Sequence, residues 1–214
     1  MFDLLNVLKE ANTVGISGHI RPDGDCVGSC MAMYLYLTKM FPEKRMDIFL
    51  EPIPAAYDCI KELDKIRTDF VTEIESYDAF LVIDCDNTRI GNAASYYDKA
   101  KIKINIDHHI SNQGCGDYNY IVPTASSASE LVFDLIKEEA LDEDIALSLY
   151  LGIIHDCGVF QYPNTSSKTL QTAAKLIGFG FDFSKIIEET FYQKTYLQNQ
   201  LLGKAVSESQ LILG

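Results

Sequence analysis

Three polar groups in a row, Asp107-His108-His109, close the apolar run from Ile102 to Ile106 and hold half of the chain's four histidines. A carboxylate beside two imidazoles can bind a divalent cation or pass a proton. One histidine alone is more often a surface or hydrogen-bonded core residue. The weight comes from the other polar residues that end apolar segments: His19, Asp23, Asp25, Asp84, Asp86 and Asp156. Open α/β sheets gather their ligands at such ends. His19, Asp23, Asp25, Asp84, His108 and Asp156 come from four separate segments, and two divalent ions close together, bridged by one carboxylate, would absorb their charge. Mixed imidazole and carboxylate donors suit manganese best, with magnesium, iron, cobalt and zinc as competitors. A paired-metal site activates water and clamps the attacking and leaving oxygens of phosphoryl hydrolysis.

The elements that must carry these residues follow from hydrophobic periodicity. Phe2 to Ala11 reads as an amphipathic helix and Thr13 to Ser17 as a short buried strand. A loop rich in glycine and acids follows from Gly18 to Ser29, before a helical stretch from Cys30 to Met40. In that loop Gly24 and Gly28 would let the backbone approach an ion, while the plainer alternative is a turn with Asp25 capping the next helix. Met46 to Leu50 reads as a second strand, followed by a proline-punctuated loop and helical material through Leu63. Ala79 to Ile83 is a buried strand that ends in Asp84 and Asp86, and buried acids are costly unless paired or metal-bound. Arg89 could neutralise one of them or face a phosphate. Lys103 to Ile106 is a fourth strand, and Tyr120 to Val122 a fifth.

Ser127 and Glu130 have capping-box spacing before a helix from Leu131 to Lys137. Asp144 to Ile154 reads as a buried helix that delivers Asp156, and the hydroxyls of Thr165, Ser166 and Ser167 cap a helix from Lys168 to Ile177. Phe183 to Glu189 and Leu197 to Ser209 close the series. The sum is an α/β domain with a mostly parallel five-stranded sheet flanked by helices.

A chain of 214 residues, 47% hydrophobic with only 6 prolines, can bury a core as one domain with at most a small appendage. Its net charge of -13 argues against duplex nucleic acid, which needs a basic face, yet leaves a short anionic substrate open where metal ions reverse the local field. Six cysteines without a C-x-x-C pair read as reduced thiols of an intracellular protein. No apolar run approaches the roughly 20 residues that span a bilayer, which points to a cytoplasmic location.

The motifs Gly18-His19-x-x-Pro22-Asp23-Gly24-Asp25-x-x-Gly28-Ser29, the acid-ended strand at Asp84, Asp107-His108-His109, and Gly152-Ile153-Ile154-His155-Asp156-x-Gly158-x-Phe160-x-Tyr162-x-Asn164-Thr165 occur in this order. Together they resemble the four motifs of the DHH phosphoesterase family over roughly residues 13 to 175. Within it the chain is most like the oligoribonuclease and pAp phosphatase (NrnA-like) group. The resemblance implies a catalytic domain over residues 1–190 and a helical linker over 191–214 leading to a substrate-binding subdomain with a glycine- and histidine-rich motif. Nothing resembling that motif occurs before Gly214, and the apolar end Leu211-Ile212-Leu213-Gly214 reads as interrupted.

The resemblance further implies that His19, Asp23 and Asp84 hold one Mn2+, and that Asp25, Asp84, His108 and Asp156 hold the second, with Mg2+ or Co2+ as alternatives. Water between the ions is then the nucleophile. His109 contacts the scissile phosphate or assists the leaving oxygen, Asp107 orients a histidine, Arg89 is a phosphate ligand and Asn164 a substrate contact. Asp86 receives no role. The implied substrates are short RNA oligonucleotides or pAp, with a homodimer left open. Other expectations compete: a cyclic-dinucleotide phosphodiesterase, a RecJ-like single-strand exonuclease, an inorganic pyrophosphatase, or a non-catalytic nucleotide-binding domain. Asp84-x-Asp86-x-Thr88 also has the form of an aspartyl-phosphate phosphatase motif, but that reading leaves the histidines and the Asp23/Asp25 loop without a purpose.

Overall fold

The computed structural model describes residues 2–210. Its centre is a five-stranded sheet in the order β2-β1-β3-β4-β5, every neighbouring pair parallel. The strands are β1 (Thr13–Ser17), β2 (Arg45–Phe49), β3 (Ala79–Ile83), β4 (Ile102–Asp107) and β5 (Tyr118–Ile121). The helices are α1 (Leu4–Val7), α2 (Gly24–Met40), α3 (Ala94–Lys99), α4 (Ala128–Leu135), α5 (Glu143–Asp156), α6 (Ser167–Ile177), α7 (Phe183–Ile187) and α8 (Tyr196–Ser207).

The period-two rule of strands divides the core into two. Val14, Ile16, Ile48, Ala79, Leu81, Ile83, Ile104 and Ile106 face the large cluster built with α2, α4, α5 and α6. Phe49, Phe80 and Val82 face the other way, into an aromatic layer with Tyr77 and Tyr97 against α3. Gly15 permits that layer, since a Cβ there would lie 2.4 Å from the Phe80 ring. All five residues of β3 are buried, as its central place requires. β1 pairs with β2 on one side and β3 on the other, so the chain reverses direction across the sheet there. The crevice beyond the strand ends at that switch point is where ligands bind in such sheets.

Several boundaries differ from the periodicity. α2 begins six residues earlier than Cys30, at Gly24, because Asp23 caps it by accepting from Asp25 N and Cys26 N. Asp25 therefore lies in the first helical turn and is not the cap. Gly24 and Gly28 serve helix packing and not an ion: a Cβ at Gly24 would strike the His155 ring at 2.2 Å, and one at Gly28 the Ser148 carbonyl at 2.4 Å. α1 covers only Leu4–Val7. The material before Leu63 is a 3-10 turn at Ala55–Tyr57, with a second at Leu63–Lys65. β2 starts and stops one residue before Met46 to Leu50, and β5 is Tyr118–Ile121, not Tyr120 to Val122.

Only half of the expected capping box forms at α4. Ser127 accepts from Glu130 N, but the Glu130 carboxylate turns to Ser126 and Thr169. With Ser127 as its cap, α4 runs Ala128–Leu135 in place of 131–137. The reciprocal box appears instead at α6, between Ser166 and Thr169. α7 starts at Phe183 as expected but stops at Ile187, two residues short of Glu189, where one π-type turn, Glu188–Tyr192, follows; α8 runs Tyr196–Ser207, starting one residue and ending two residues before Leu197 to Ser209. The apolar end 211–214 lies outside the described residues. No described helix is long and apolar enough to cross a membrane.

Candidate metal centre

The three central strands, β1, β3 and β4, each end in or just before a candidate ligand. His19 follows β1, Asp84 follows β3, and Asp107, His108 and His109 terminate β4. Asp84 takes φ +65°, the left-handed region that is uncommon for a residue with a Cβ. Its N–H still completes the ladder by donating to Ile106 O at 2.9 Å. The strand thus turns sharply after its last bond and leaves the carboxylate at the tip.

Asp84 reaches to both sides. Its Oδ2 lies 3.4 Å from His19 Nε2, and its Oδ1 lies 3.5 Å from His108 Nε2. His19 donates from Nδ1 to Ile20 O at 2.8 Å, which fixes the tautomer and turns the Nε2 lone pair toward Asp84. His19 is also 3.6 Å from Asp23. His108 Nε2 lies 3.3 Å from Asp156 Oδ2 and 4.0 Å from Asp25 Oδ2. Three sets of donor atoms gather within 4.8 Å: His19, Cys26 and Asp84; Asp25, His108 and Asp156; and Asp84, Asp107, His108 and His109. Five of the six expected ligands fall in these sets. Asp23 stands beside His19 while capping α2.

The clustered charges push one another. Burial opposes a charged His19, but Asp23 and Asp84 outweigh it and hold the ring well above the ordinary histidine range. Burial likewise opposes His108, and Asp84, Asp25 and Asp156 raise it to about 9. Burial, Asp84 and Asp156 push Asp25 well up, and burial is the main cause that lifts Asp156 to about 6. Asp23 goes the other way, to about 2, because His19 and the α2 amides overcome its burial. A divalent cation could replace the protons held here.

The donors also pass a sharper test. Asp84 Oδ1 and His108 Nε2 are buried with no hydrogen-bond partner, side by side. A buried polar atom without a partner costs about 1–3 kcal/mol. Two such atoms facing one another, ringed by carboxylates, fit a cation position.

Asp107 is fully buried and serves its neighbours. It accepts from His108 N at 2.7 Å, His109 N at 3.2 Å, Asn112 Nδ2 at 2.6 Å and His109 Nδ1 at 2.7 Å. The last bond puts the His109 proton on Nδ1, leaves Nε2 free and raises the ring's affinity for a second proton. His109 is half-exposed at the rim, unlike His108.

Some features were beyond sequence reading. Asp25 accepts from Ala128 N at 2.6 Å and Ser129 N at 2.9 Å, so the start of α4 cradles it from more than 100 residues away. Cys26 borders His19 and Asp84, yet nothing in its spacing marks it. Arg89 makes no ion pair among the described residues, while its carbonyl anchors Ile20 N at 2.8 Å, next to His19. Asp86 closes a turn onto Thr88. Asn164 donates its amide to two main-chain carbonyls, those of Ser126 and Asp156. His155 is half-buried, packs against Tyr57 and Phe191 and bonds to Thr190.

A parallel α/β sheet whose switch point ends in Asp107-His108-His109 and these acids defines a DHH domain. The profile described as "DHH family, N-terminal domain" matches residues 13–153, and the chain belongs to that family. Particular relatives narrow this further. The Bacillus subtilis bifunctional oligoribonuclease and PAP phosphatase NrnA is 31% identical over 199 residues, covering 90% of this chain and 61% of that protein. A Streptococcus mutans relative is 32% identical over 193 residues, 87% of this chain and 59% of its own. The chain thus spans less than two thirds of the length of these relatives. An exopolyphosphatase-related protein from Bacteroides fragilis has the same fold, with a TM-score of 0.88 at 23% identity over 97% of this chain and 64% of its own.

Proposed function

We propose that this domain hydrolyses phosphate esters of short oligoribonucleotides, pAp or both, using two divalent cations, manganese the best match. The observation that carries the reading is the buried, partnerless pair Asp84 Oδ1 and His108 Nε2 at 3.5 Å, set inside a ring of carboxylates. The similarity to NrnA supports the substrate class. His19, Asp23 and Asp84 would hold one cation; Asp25, Asp84, His108 and Asp156 would hold the other. Cations bound there would supply Lewis-acid polarisation of a phosphoryl oxygen and make water acidic enough to attack near neutral pH.

The chain's own groups do the rest. Asp84 presents one oxygen to each histidine, which suits it to bridge. Asp107 locks His109 with Nε2 free, so this ring can donate a proton to a leaving oxygen or a hydrogen bond to phosphate when protonated. Arg89, exposed on the loop tied to Ile20, is the nearest cationic side chain in sequence to the acid-ended strand and would meet a second phosphate. In this reading residues 1–190 form the catalytic unit and α8 belongs to a linker that follows it.

The test is mononucleotide release from a 5′-phosphorylated RNA dinucleotide with Mn2+ present, with pAp run alongside. Release that disappears on chelation and returns with added Mn2+ is the expected outcome. Stoichiometric Mn2+ binding with no turnover of either substrate would leave the domain a metal-dependent binder and overturn the catalytic part.

A further inference from the structure

The reading above leaves Asn164 without a part, although it belongs to the fourth motif. It lies on the loop after α5, past a run of three left-handed residues, Gly158, Val159 and Phe160, with φ of 57°, 52° and 66°. Such a run is strained for Val and Phe, and it is held by bonds from Val159 N to Ile154 O at 2.8 Å and from Tyr162 N to Cys157 O at 3.0 Å. The turn sends the chain back over the C-terminus of α5. There the Asn164 amide donates to Asp156 O at 3.2 Å and to Ser126 O at 2.9 Å.

Those two carbonyls belong to two different ligand supports. Asp156 is the last residue of α5, where main-chain carbonyls lack helical partners. Ser126 stands next to Ser127, the cap of α4, whose Ala128 and Ser129 amides grip both oxygens of Asp25. That start is itself fixed: Ser127 caps it, and the buried Glu130 accepts from Ser126 Oγ at 2.6 Å and from Thr169 Oγ1 on α6 at 2.8 Å. One planar amide with two N–H groups therefore ties the support of Asp25 to the main chain of Asp156. The two carboxylates flank His108 Nε2 at 4.0 Å and 3.3 Å.

We propose that Asn164 is a positioning residue that sets the separation of Asp25 and Asp156 about His108, and so the affinity of the cation those three would share. The inference rests on the two-cation reading. It differs from a substrate contact in what it predicts. Loss of the amide should weaken one cation of the two, and the cation held by His19 and Asp23 should be indifferent.

The experiment is calorimetric titration of Mn2+ into the metal-free protein, its Asn164→Ala variant and its Asn164→Asp variant. Asn164→Asp keeps the size of the side chain and removes both donors, so it reports if Asn164→Ala fails to fold. Two binding events are expected in the parent. In each variant one of them should weaken by about 10- to 100-fold, the usual effect of losing an outer partner of a ligand, while the other is unchanged. KM for the dinucleotide at saturating Mn2+ should not move. Two unchanged Mn2+ affinities with a raised KM would make Asn164 a substrate contact and overturn the proposal. Equal weakening of both events would overturn it as well, because that is the signature of a loosened fold. A parent protein that binds no Mn2+ would instead remove the reading beneath it.

Discussion

Asp47 and Asp84 sit on the same sheet, each almost wholly buried, and have opposite surroundings. Asp47, on β2, accepts from Arg67 Nε at 2.9 Å, from Tyr77 Oη at 2.7 Å and from Thr72 Oγ1 at 3.2 Å, with Arg45 Nε 3.3 Å away. Both of its oxygens are answered. Asp84, one residue beyond β3, faces imidazoles, other carboxylates and the Cys26 thiol, and its Oδ1 has no partner. A buried carboxylate that is completed by its own chain is architecture. One that is left open, on strained backbone, among like charges, is prepared for something that is not part of the chain.

Substitution at the open carboxylate should give the largest effect on activity and a small one on folding. Asp84→Ala or His108→Ala should cut Mn2+-dependent release by more than the roughly 10- to 100-fold typical of outer-shell losses, with the unfolding transition retained. A variant keeping near-parent rates would sink the site assignment. The completed carboxylate should behave in reverse. Asp47→Ala strands the buried Tyr77 hydroxyl and should cost about 1–3 kcal/mol in denaturant unfolding, with Mn2+ affinity unchanged. If Asp47→Ala instead altered metal binding, the contrast between the two regions would fail.

The smallest expected effect is in the pH dependence, and its sign again separates the two kinds of carboxylate. Cation binding must displace the protons that His108 and Asp156 hold up to about 9 and about 6, so Mn2+ affinity should climb with pH through that window. Asp78 is a structural counterpart: Lys101, with the Asn12 and Thr13 amides, lowers its carboxyl from 3.8 to about 2. Its folded pKa is depressed, so its contribution to stability is present above 3.8 and is lost as pH falls through about 2. Unfolding and Mn2+ titrations across pH would resolve the two responses. An affinity that did not change with pH would contradict the proton competition at His108.

How much of this was legible follows from the range of each contact. The parallel sheet and the tips bearing His19, Asp84 and Asp107-His108-His109 could be read because strand burial is a local pattern and acids ending such strands stand out. The start of α2 at Gly24 could not, because glycines and acids resemble a loop until the partner helix that needs the missing Cβ is in place. The grip of Ala128 and Ser129 on Asp25 was equally hidden, since main-chain amides leave no mark on residue type. The motif alone brings Asn164 to the site; its two acceptors are carbonyls 8 and 38 residues distant, which no local pattern encodes. Glu130 matched the capping-box spacing and still chose other partners, because Thr169 arrives from a later helix.

The crossing of α2 and α5 carries one more consequence. A Cβ at Gly28 would lie 2.4 Å from the Ser148 carbonyl, and one at Gly152 would lie 1.9 Å from Ser129 Oγ and 2.8 Å from Asp25 Oδ1. At Gly28 the two helices that carry Asp25 and Asp156 therefore touch backbone to backbone, with no rotatable side chain between them at that point. Such a junction is limited by hard repulsion, which stiffens steeply with compression, so heating or pressure should change the gap between the two carboxylates far less than a side-chain-packed interface would allow.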